Sequence, residues 1–343
     1  MTGSPPLLEV TDVQCLFPVR RSVTDLVRRE HHAVHAVDRV SFSLEAGDVL
    51  ALVGESGCGK STTGRLLVRL EDPTGGTIRF RGQDVTGLNG KELKAFRREA
   101  QVIFQNPFEA FDPRLTVRSS LLQALEIHGI GNGDERERRV TRAVESAGLR
   151  PAGNFLDRFP HELSGGQLQR VVTVRAMLLE PAFLVADEPV SMLDVSVRAE
   201  IMNQLLDLRD ERGMTIVFIT HDIAVARYMA SRVAVMYLGM FVEVGTTADV
   251  IDSPRHPYTR ALLSHTLPAG DEDVVTEPIE IHGDPPTPVD LRPGCRFAGR
   301  CPFVFDRCRH ETPQLQTVEG RQQVACHLFD DTDRGTTASG PTS

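Results

Sequence analysis

Short apolar runs recur along this chain at intervals that suit the strands of a parallel sheet. Residues 49–53, 183–186 and 216–219 contain no polar side chain. Unbroken apolar runs of this length are typical of strands that are buried on both faces. Residues 40–44 alternate apolar with polar positions instead, which predicts a strand with one buried face.

Stretches with the spacing of amphipathic helices separate these runs. The predicted helices cover residues 62–70, 119–128, 134–147, 166–180 and 195–212. Gly148 and Pro181 directly follow two of them, at positions where helices commonly stop. The alternation of strands with helices predicts an α/β fold, in which crossover helices connect the strands of a parallel sheet.

Composition and charge narrow the classes of function. The chain has 343 residues, of which 41% are hydrophobic, as in an ordinary globular protein. No apolar run approaches the ~18–20 residues that a membrane-spanning helix requires, and the first residues lack the pattern of a secretion signal. The net charge of −9 argues against a nucleic-acid-binding surface, which would be basic. We therefore expect a cytosolic protein that reaches a membrane only through its partners.

A phosphate-binding loop follows the first apolar run. Residues 54–61 read Gly-Glu-Ser-Gly-Cys-Gly-Lys-Ser, which fits the pattern GxxxxGK[ST] between a strand and a helix. In such a loop backbone N–H groups surround the phosphates, Lys60 reaches the β- and γ-phosphates, and the Ser61 hydroxyl binds Mg²⁺. The predicted ATP contacts of this segment are Gly54, Glu55, Ser56, Gly57, Cys58, Gly59, Lys60, Ser61 and Thr62.

Four polar residues stand at the ends of other predicted strands, namely Gln105, Asp187, Glu188 and His221. The carboxyl ends of parallel strands meet at the sheet edge where nucleotides bind. We expect Asp187 and Gln105 to contact Mg²⁺, and Glu188 to act as the base for the attacking water. His221 is expected to reach the γ-phosphate. A Gln or His at a strand end most often only hydrogen-bonds within its loop, but the order of all these elements argues against coincidence.

The chain also reads Leu-Ser-Gly-Gly-Gln at residues 163–167. Together with the phosphate loop and the paired carboxylates, in this order, the segment resembles the signature of ABC transporter ATP-binding subunits. The resemblance implies a RecA-like P-loop ATPase core with an ABC helical subdomain, and two subunits that complete each other's ATP sites. The residues that the resemblance assigns to the partner's site and to the loop linking the two sites are Ser164, Gly165, Gly166, Gln167 and Asp194.

Adenine in this family normally stacks on an aromatic residue upstream of the phosphate loop. Phe17 is the candidate, because stacking needs the aromatic face but not the hydroxyl of the tyrosine that is more often found there. The plain alternative for Phe17 is a place in the core beneath an edge strand. Phe42 is the weaker candidate for the adenine contact.

The resemblance also sets the expected domain boundaries. Residues 7–104 and 162–250 would form the nucleotide-binding core, and residues 105–161 the helical subdomain that docks the transmembrane subunits. Residues 251–329 would form a small C-terminal domain that contains four cysteines. The remaining residues, 330–343, are rich in Thr, Gly, Ser and Asp, which predicts a disordered tail.

Several segments resemble more narrowly the ATPases of oligopeptide and dipeptide permeases. They are residues 105–108, 112–114, 186–191, 194–199 and 255–263. An insertion between Phe17 and Ala36, which contains two Arg-Arg pairs, resembles the F-type rather than the D-type of the two paired ATPases in these permeases.

The narrower resemblance implies a peptide importer. This chain would pair with a D-type ATPase, bind two transmembrane permease subunits at the cytoplasmic face of the cell membrane, and depend on an extracytoplasmic binding protein. Relatives carry nickel chelates, glutathione or oligosaccharides, which are alternative substrates. A soluble ABC ATPase without a membrane partner is the rival class, but such proteins usually carry two cassettes and this chain has one phosphate loop.

Four of the six cysteines lie near the end of the chain, with 5, 6 and 17 residues between them: Cys295, Cys301, Cys308 and Cys326. Disulfides are rare in the cytosol, and the CxxC pairs of structural zinc sites are missing. Pro302, directly after the second cysteine, is reminiscent of loop-held iron–sulfur ligation, and some members of the family bind a 4Fe-4S cluster in this extension. We expect an iron–sulfur cluster, with zinc or free thiols as the alternatives.

Cys58 lies within the phosphate loop, beside backbone amides and Lys60. Such positive surroundings lower the pKa of a thiol. We therefore expect Cys58 to react readily with thiol reagents when no nucleotide is bound, and bound Mg-ATP to shield it.

Overall fold

The computed structural model describes residues 5–19, 32–191, 193–266, 279, 281, 283–291 and 293–330. The two Arg-Arg pairs of the predicted insertion and residues 331–343 of the predicted tail lie outside these ranges. Within the described ranges, no helix combines the length and the apolar character needed to cross a membrane.

The strands of the described residues form two sheets. In chain order they are β1 (Leu8–Pro18), β2 (Ala33–Leu44), β3 (Val49–Val53), β4 (Gly75–Phe80), β5 (Gln83–Asp84), β6 (Ala100–Ile103), β7 (Phe183–Asp187), β8 (Thr215–Thr220), β9 (Arg232–Tyr237), β10 (Met240–Thr246), β11 (Gln316–Glu319) and β12 (Gln322–Val324). The smaller sheet has the order β2-β1-β4-β5 and is antiparallel. The larger sheet has the order β11-β12-β10-β9-β3-β8-β7-β6.

The larger sheet is parallel from β9 to β6. Its central strand β3 is buried on both faces: Val49, Ala51 and Val53 join one apolar cluster, while Leu50 and Leu52 join the cluster on the opposite side. This two-sided burial explains why the strand reads as an unbroken apolar run. The structure therefore confirms the predicted α/β fold.

The helices are α1 (Lys60–Leu67), α2 (Gly90–Glu99), α3 (Val117–Ile127), α4 (Gly133–Ser146), α5 (Gly153–Leu156), α6 (Gly165–Met177), α7 (Val195–Arg212), α8 (Ile223–Met229), α9 (Thr247–Asp252), α10 (Pro257–Thr266) and α11 (Asp306–His310). The five predicted helices correspond to α1, α3, α4, α6 and α7. Of these, α7 has the predicted bounds, and the other four begin one or two residues earlier and end one to three residues earlier than predicted. In the middle of the chain, α3 packs against α4 and α5, and both α3 and α4 contact α6.

The C-terminal strands extend the sheet of the core. β12 pairs with β10 through Glu243 opposite Val324 and Val244 opposite Gln323. The Glu243 carboxylate is fully buried there and accepts hydrogen bonds from the backbone N–H groups of Arg255 (2.8 Å) and His256 (3.0 Å). It also accepts one from the Gln322 side chain at 2.7 Å. β11 and β12 thus belong to the same sheet as β3, the strand that leads into the phosphate loop.

Candidate functional site

The phosphate loop connects β3 to α1 at the carboxyl edge of the parallel strands. Gly59 caps α1 with a φ of 108°, a conformation that favours glycine. A Cβ atom at this position would overlap the carbonyl oxygen of Ala36 on β2. The loop therefore requires glycine here both for its backbone conformation and for its close approach to β2.

Lys60 is buried and folds back across the loop. Its Nζ donates hydrogen bonds to the carbonyl oxygens of Gly54 (2.8 Å) and Glu55 (2.9 Å). The ammonium group therefore lies over the concave face of the loop, where a phosphate group would be its natural acceptor.

Ser61 and Asp187 form a pair of oxygen ligands that suits Mg²⁺. The Ser61 hydroxyl donates to Oδ1 of Asp187 at 3.0 Å. Burial raises the pKa of the Asp187 carboxyl, and the neighbouring charge of Glu188 raises it further. A bound cation would offset both effects, because it stabilises the ionised carboxylate.

Glu188 lies between two of the other predicted residues. Gln105 donates from Nε2 to Oε2 of Glu188 at 3.0 Å, and Nδ1 of His221 lies 3.1 Å from Oε1. Glu188 has a positive φ of 45°, which is uncommon for a residue other than glycine. The structure thus brings together the ends of three neighbouring strands, β6, β7 and β8, as the sequence predicted.

A cavity of about 400 Å³ covers the phosphate loop. The predicted residues that line it are Glu55, Ser56, Gly57, Cys58, Gly59, Lys60, Ser61, Thr62, Gln105 and Glu188. The lining residues that were not predicted are Val34, Ala36, Tyr237, Leu238, Pro285, Pro286, Thr287 and Pro288. These residues belong to no recognisable sequence motif, and the prolines at 285, 286 and 288 are typical of an ordinary loop. They reach the cavity only through tertiary contacts.

Phe17 is not among the cavity-lining residues, but it lies in register with one. It is paired across the strands with Val34, and Val34 forms an isolated bridge with Val289 on its other side. Directly opposed residues share one face of a sheet. Phe17 and Val289 are 39% and 37% exposed, so the three side chains form an open apolar row beside the cavity. Phe42, by contrast, is half-buried and packs against Phe241.

The signature segment and Asp194 are not among the residues lining this cavity. Ser164 caps α6 through a capping box, in which its side chain accepts from the Gln167 N–H and the Gln167 side chain accepts from the Ser164 N–H. Ser164 and Gly165 are exposed, and Asp194 is the exposed residue that precedes α7. The start of α6 therefore presents free surface rather than a contact with this chain's own cavity.

The expectation of a low pKa for the Cys58 thiol was wrong. Its side chain is only 3% exposed, and burial raises the pKa of its thiol, although Lys60 acts in the opposite direction. Desolvation of the thiolate therefore outweighs the positive charge nearby. Cys58 is a buried thiol, not an activated one.

The four C-terminal cysteines are free thiols in one region of the fold. The Cys295 N–H donates to the Cys308 carbonyl oxygen at 2.7 Å. Burial raises the pKa of Cys295 to about 11 and of Cys326 to about 12, and the charges of the other cysteines add to both shifts. Among the described residues, however, no group of three or more His, Cys, Asp or Glu side chains has an arrangement that would hold a metal ion.

Comparisons with known proteins agree with this geometry. Residues 37–191 match the family model described as ABC transporter, and residues 242–308 match the oligopeptide/dipeptide transporter C-terminal region. The oligopeptide transport ATP-binding protein AppF of Bacillus subtilis is 42% identical over 94% of this chain and 97% of its own length. The di/tripeptide transport ATP-binding protein DppF of Pseudomonas aeruginosa is 45% identical over 87% of this chain and 91% of its own.

Solved structures agree as well. The dimeric bacterial ABC transporter cassette MJ0796 has a TM-score of 0.62 and 28% identity, covering 70% of this chain and 98% of its own length. The same cassette in a dimeric post-hydrolysis state with ADP and phosphate gives 0.61. The chain belongs to the ABC transporter ATPases, in the branch of the oligopeptide and dipeptide transport ATP-binding proteins.

Proposed function

We propose that this chain is an ATP-hydrolysing subunit of a peptide importer, and the F-type member of a heterodimer with a D-type ATPase. The match of residues 242–308 supports a peptide substrate. The names of AppF and DppF support both a peptide substrate and the F-type assignment. Two transmembrane permease subunits would hold the ATPase at the cytoplasmic face of the cell membrane, and an extracytoplasmic binding protein would deliver the peptide.

The observation that carries the ATPase assignment is the position of Glu188. Gln105 and His221 hold its two carboxylate oxygens, and the Ser61–Asp187 pair lies beside it. A carboxylate fixed in this way can accept a proton from a water molecule that attacks the γ-phosphate.

The other groups of the site would position the nucleotide. Lys60 leaves the carbonyl oxygens of Gly54 and Glu55 when phosphate oxygens replace them as acceptors. Ser61, Asp187 and Gln105 would hold Mg²⁺, which when bound neutralises charge on the β- and γ-phosphates. In this proposal, these groups together place ATP so that Glu188 and His221 face its terminal phosphate.

We assign the exposed start of α6 to the partner's site. Ser164, Gly165 and Gly166 lie at the N-terminus of a 13-residue helix, where backbone N–H groups and the helix dipole favour an anion. ATP bound to the partner would supply that anion when the two subunits close head to tail. Asp194 would link the two sites, and residues 105–161 would pass the closing motion to the permease subunits.

Replacement Glu188→Gln tests the ATPase assignment. The variant should keep Mg-ATP binding but lose about 10²–10⁴-fold of its hydrolysis rate, because the amide cannot accept the proton. Hydrolysis is measured in the purified four-subunit complex. The two sites of a heterodimer need not be equivalent, so single-turnover measurements with ATP bound at this chain's site are the decisive ones.

Glu211→Gln, at an exposed carboxylate near the end of α7, is the matched control and should hydrolyse ATP normally. Peptide uptake by vesicles that contain the complex should be lost with Glu188→Gln and kept with Glu211→Gln. Normal hydrolysis by Glu188→Gln would contradict the assigned base. Uptake of a nickel chelate, glutathione or an oligosaccharide in place of peptides would contradict the assigned substrate.

We further propose that Cys295, Cys301, Cys308 and Cys326 hold a 4Fe-4S cluster. Four thiols are the usual donor set for such a cluster. Their mutual repulsion, which adds to the raised pKa values of Cys295 and Cys326, would be relieved by a bound cation. The support is the donor set and the electrostatic influence of the thiols on one another; the described residues show no arrangement that would already hold a metal ion.

Metal analysis after anaerobic purification tests the cluster. We expect a brown protein with about four iron atoms per chain, and loss of iron when any one of the four cysteines is replaced by Ser. Cys15→Ser, at a buried cysteine of β1, is the control and should keep the iron. A colourless protein, with zinc or with no metal, would contradict the proposal.

A further inference from the structure

The C-terminal region contacts the phosphate loop itself. Arg300, the residue before Cys301, donates from Nη1 to Oε2 of Glu55 at 2.9 Å and from Nη2 to Oε1 at 3.2 Å. The Arg300 and Glu55 side chains are only 10% and 24% exposed. A two-pronged and largely buried ion pair fixes the direction of a carboxylate far better than a pair on the open surface does.

A second contact from the same region reaches the backbone of Glu55. Its N–H donates to the hydroxyl of Tyr258 at 2.8 Å, and Tyr258 is fully buried at the start of α10. The carbonyl oxygen of Glu55 accepts from Lys60. All the polar groups of Glu55 are therefore engaged, and the C-terminal region supplies the contacts to its carboxylate and to its backbone N–H.

The groups that hold Glu55 rest on a packed aromatic cluster. The Tyr237 and Tyr258 ring centroids are 4.7 Å apart, and Phe297 packs against both at 5.3 and 5.5 Å. The Arg300 guanidinium lies 5.9 Å from the centre of the Tyr237 ring. Aromatic side chains packed in this way have little freedom to move, so they hold in place the groups that contact Glu55.

We propose that Arg300 is a positioning residue for the phosphate loop. It holds Glu55 so that the loop keeps its phosphate-binding shape before a nucleotide arrives, and ATP binding does not have to order the loop. Arg300 also neutralises a carboxylate that lines the nucleotide cavity. Because it contacts neither the reacting groups nor Glu188, its loss affects ATP affinity more than the rate of the chemical step. This inference rests on the proposed ATP site.

Arg300→Ala should raise the Kd for ATP about tenfold or more, while kcat at saturating ATP stays within about twofold of wild type. Arg300→Lys should recover part of the affinity, because it restores the charge but not the two-pronged geometry. Binding is measured on the full-length chain with a fluorescent ATP analogue, and kcat in the four-subunit complex. Glu55→Gln, which keeps the shape of the side chain, should weaken ATP binding less but in the same direction.

The double variant Glu55→Ala/Arg300→Ala separates positioning from charge neutralisation. A positioning role predicts that it binds ATP more weakly than wild type, and recovery of wild-type affinity would overturn the proposal. Arg307→Ala is the control: Arg307 pairs with Glu311 and Asp330 in the same region, so its loss should lower stability without changing the Kd. Wild-type affinity in Arg300→Ala would overturn this inference alone, whereas failure of the wild-type chain to bind ATP would overturn the proposed function.

Discussion

Phe17 is the single side chain on which we expect the adenine ring of ATP to lie. It stands in the open apolar row with Val34 and Val289, next to the cavity that Val34 lines. Stacking on an aromatic face is worth about 0.5–1.5 kcal/mol beyond burial of the ring. Phe17→Ala should therefore raise the Kd for ATP about tenfold, while the Kd for tripolyphosphate, which has no base, stays unchanged.

Competition against a fluorescent ATP analogue measures both affinities. Val289→Ser should show a smaller loss in the same direction, because Val289 offers apolar area without an aromatic face. Phe159→Ala is the control, since Phe159 is similarly exposed but stacks on His161 near the end of the helical segment. An equal loss of affinity for ATP and tripolyphosphate would place Phe17 away from the base.

Cys58 shows where local sequence is a poor guide to a single residue. The nearby lysine and backbone amides predicted a low thiol pKa, and these groups do act in that direction. Burial opposes them and prevails, and it arises from the apolar cluster that Cys58 shares with residues distant in sequence, such as Ala234 and Met236. A thiol pKa that is set by tertiary packing cannot be predicted from the residues adjacent in sequence.

At the level of elements, the sequence predicted strands and helices well because their signals are local. An unbroken apolar run identified β3, and Gly213 ends α7 at the predicted residue by adopting a left-handed conformation. The end of α6 was placed three residues too late, because the chain leaves the helix before Glu180, which has a φ of 52°. Which elements pair could not be predicted, since the contacts of Pro288 with β2 or of β12 with β10 join segments far apart in sequence.

His256, just before α10, makes stability depend on pH. Burial lowers its pKa from an ordinary 6.5 to about 3, and its Nδ1 accepts from the Tyr258 N–H at 3.0 Å. Between these two values the unfolded chain binds a proton that the folded chain does not. Titration of His256 therefore leaves the free energy of unfolding unchanged above about pH 6.5. Below that pH it lowers the free energy of unfolding by up to about 1.4 kcal/mol for each pH unit.

His256→Asn removes this titration and keeps an acceptor for the Tyr258 N–H. Urea unfolding at pH 8 and pH 5 should show that the variant is less stable than wild type at pH 8, and that the difference shrinks by about 2 kcal/mol at pH 5. Other titrating groups contribute equally to both proteins and cancel. Parallel pH profiles for the two proteins would mean that His256 is protonated in the folded state.

For the molecule as a whole, the continuous sheet predicts that the nucleotide core and the C-terminal region unfold together. Gln322 on β12 donates to the buried carboxylate of Glu243 on β10. Gln322→Ala would leave this carboxylate short of a hydrogen bond, which costs about 1–3 kcal/mol. We expect the free energy of unfolding to fall by that amount, with ATP binding and overall secondary structure lost at the same urea concentration.

Gln314→Ala is the matched control, because Gln314 is exposed and its side chain donates, within the described ranges, only to the nearby Thr312 carbonyl oxygen. It should leave the transition unchanged. Two separate transitions in the Gln322→Ala variant would show instead that the C-terminal region is an independent folding unit.

The contact between Glu55 and Arg300 spans 245 positions of sequence, and this separation has a consequence for synthesis. At about 5–20 residues per second, a ribosome makes Arg300 roughly 12–50 seconds after Glu55. During that interval the nascent chain carries a phosphate loop without its anchor. The proposed role of Arg300 implies that tight ATP binding begins only once the distal part of the polypeptide has been made and folded. An unfinished or truncated subunit that lacks Arg300 would hold ATP weakly.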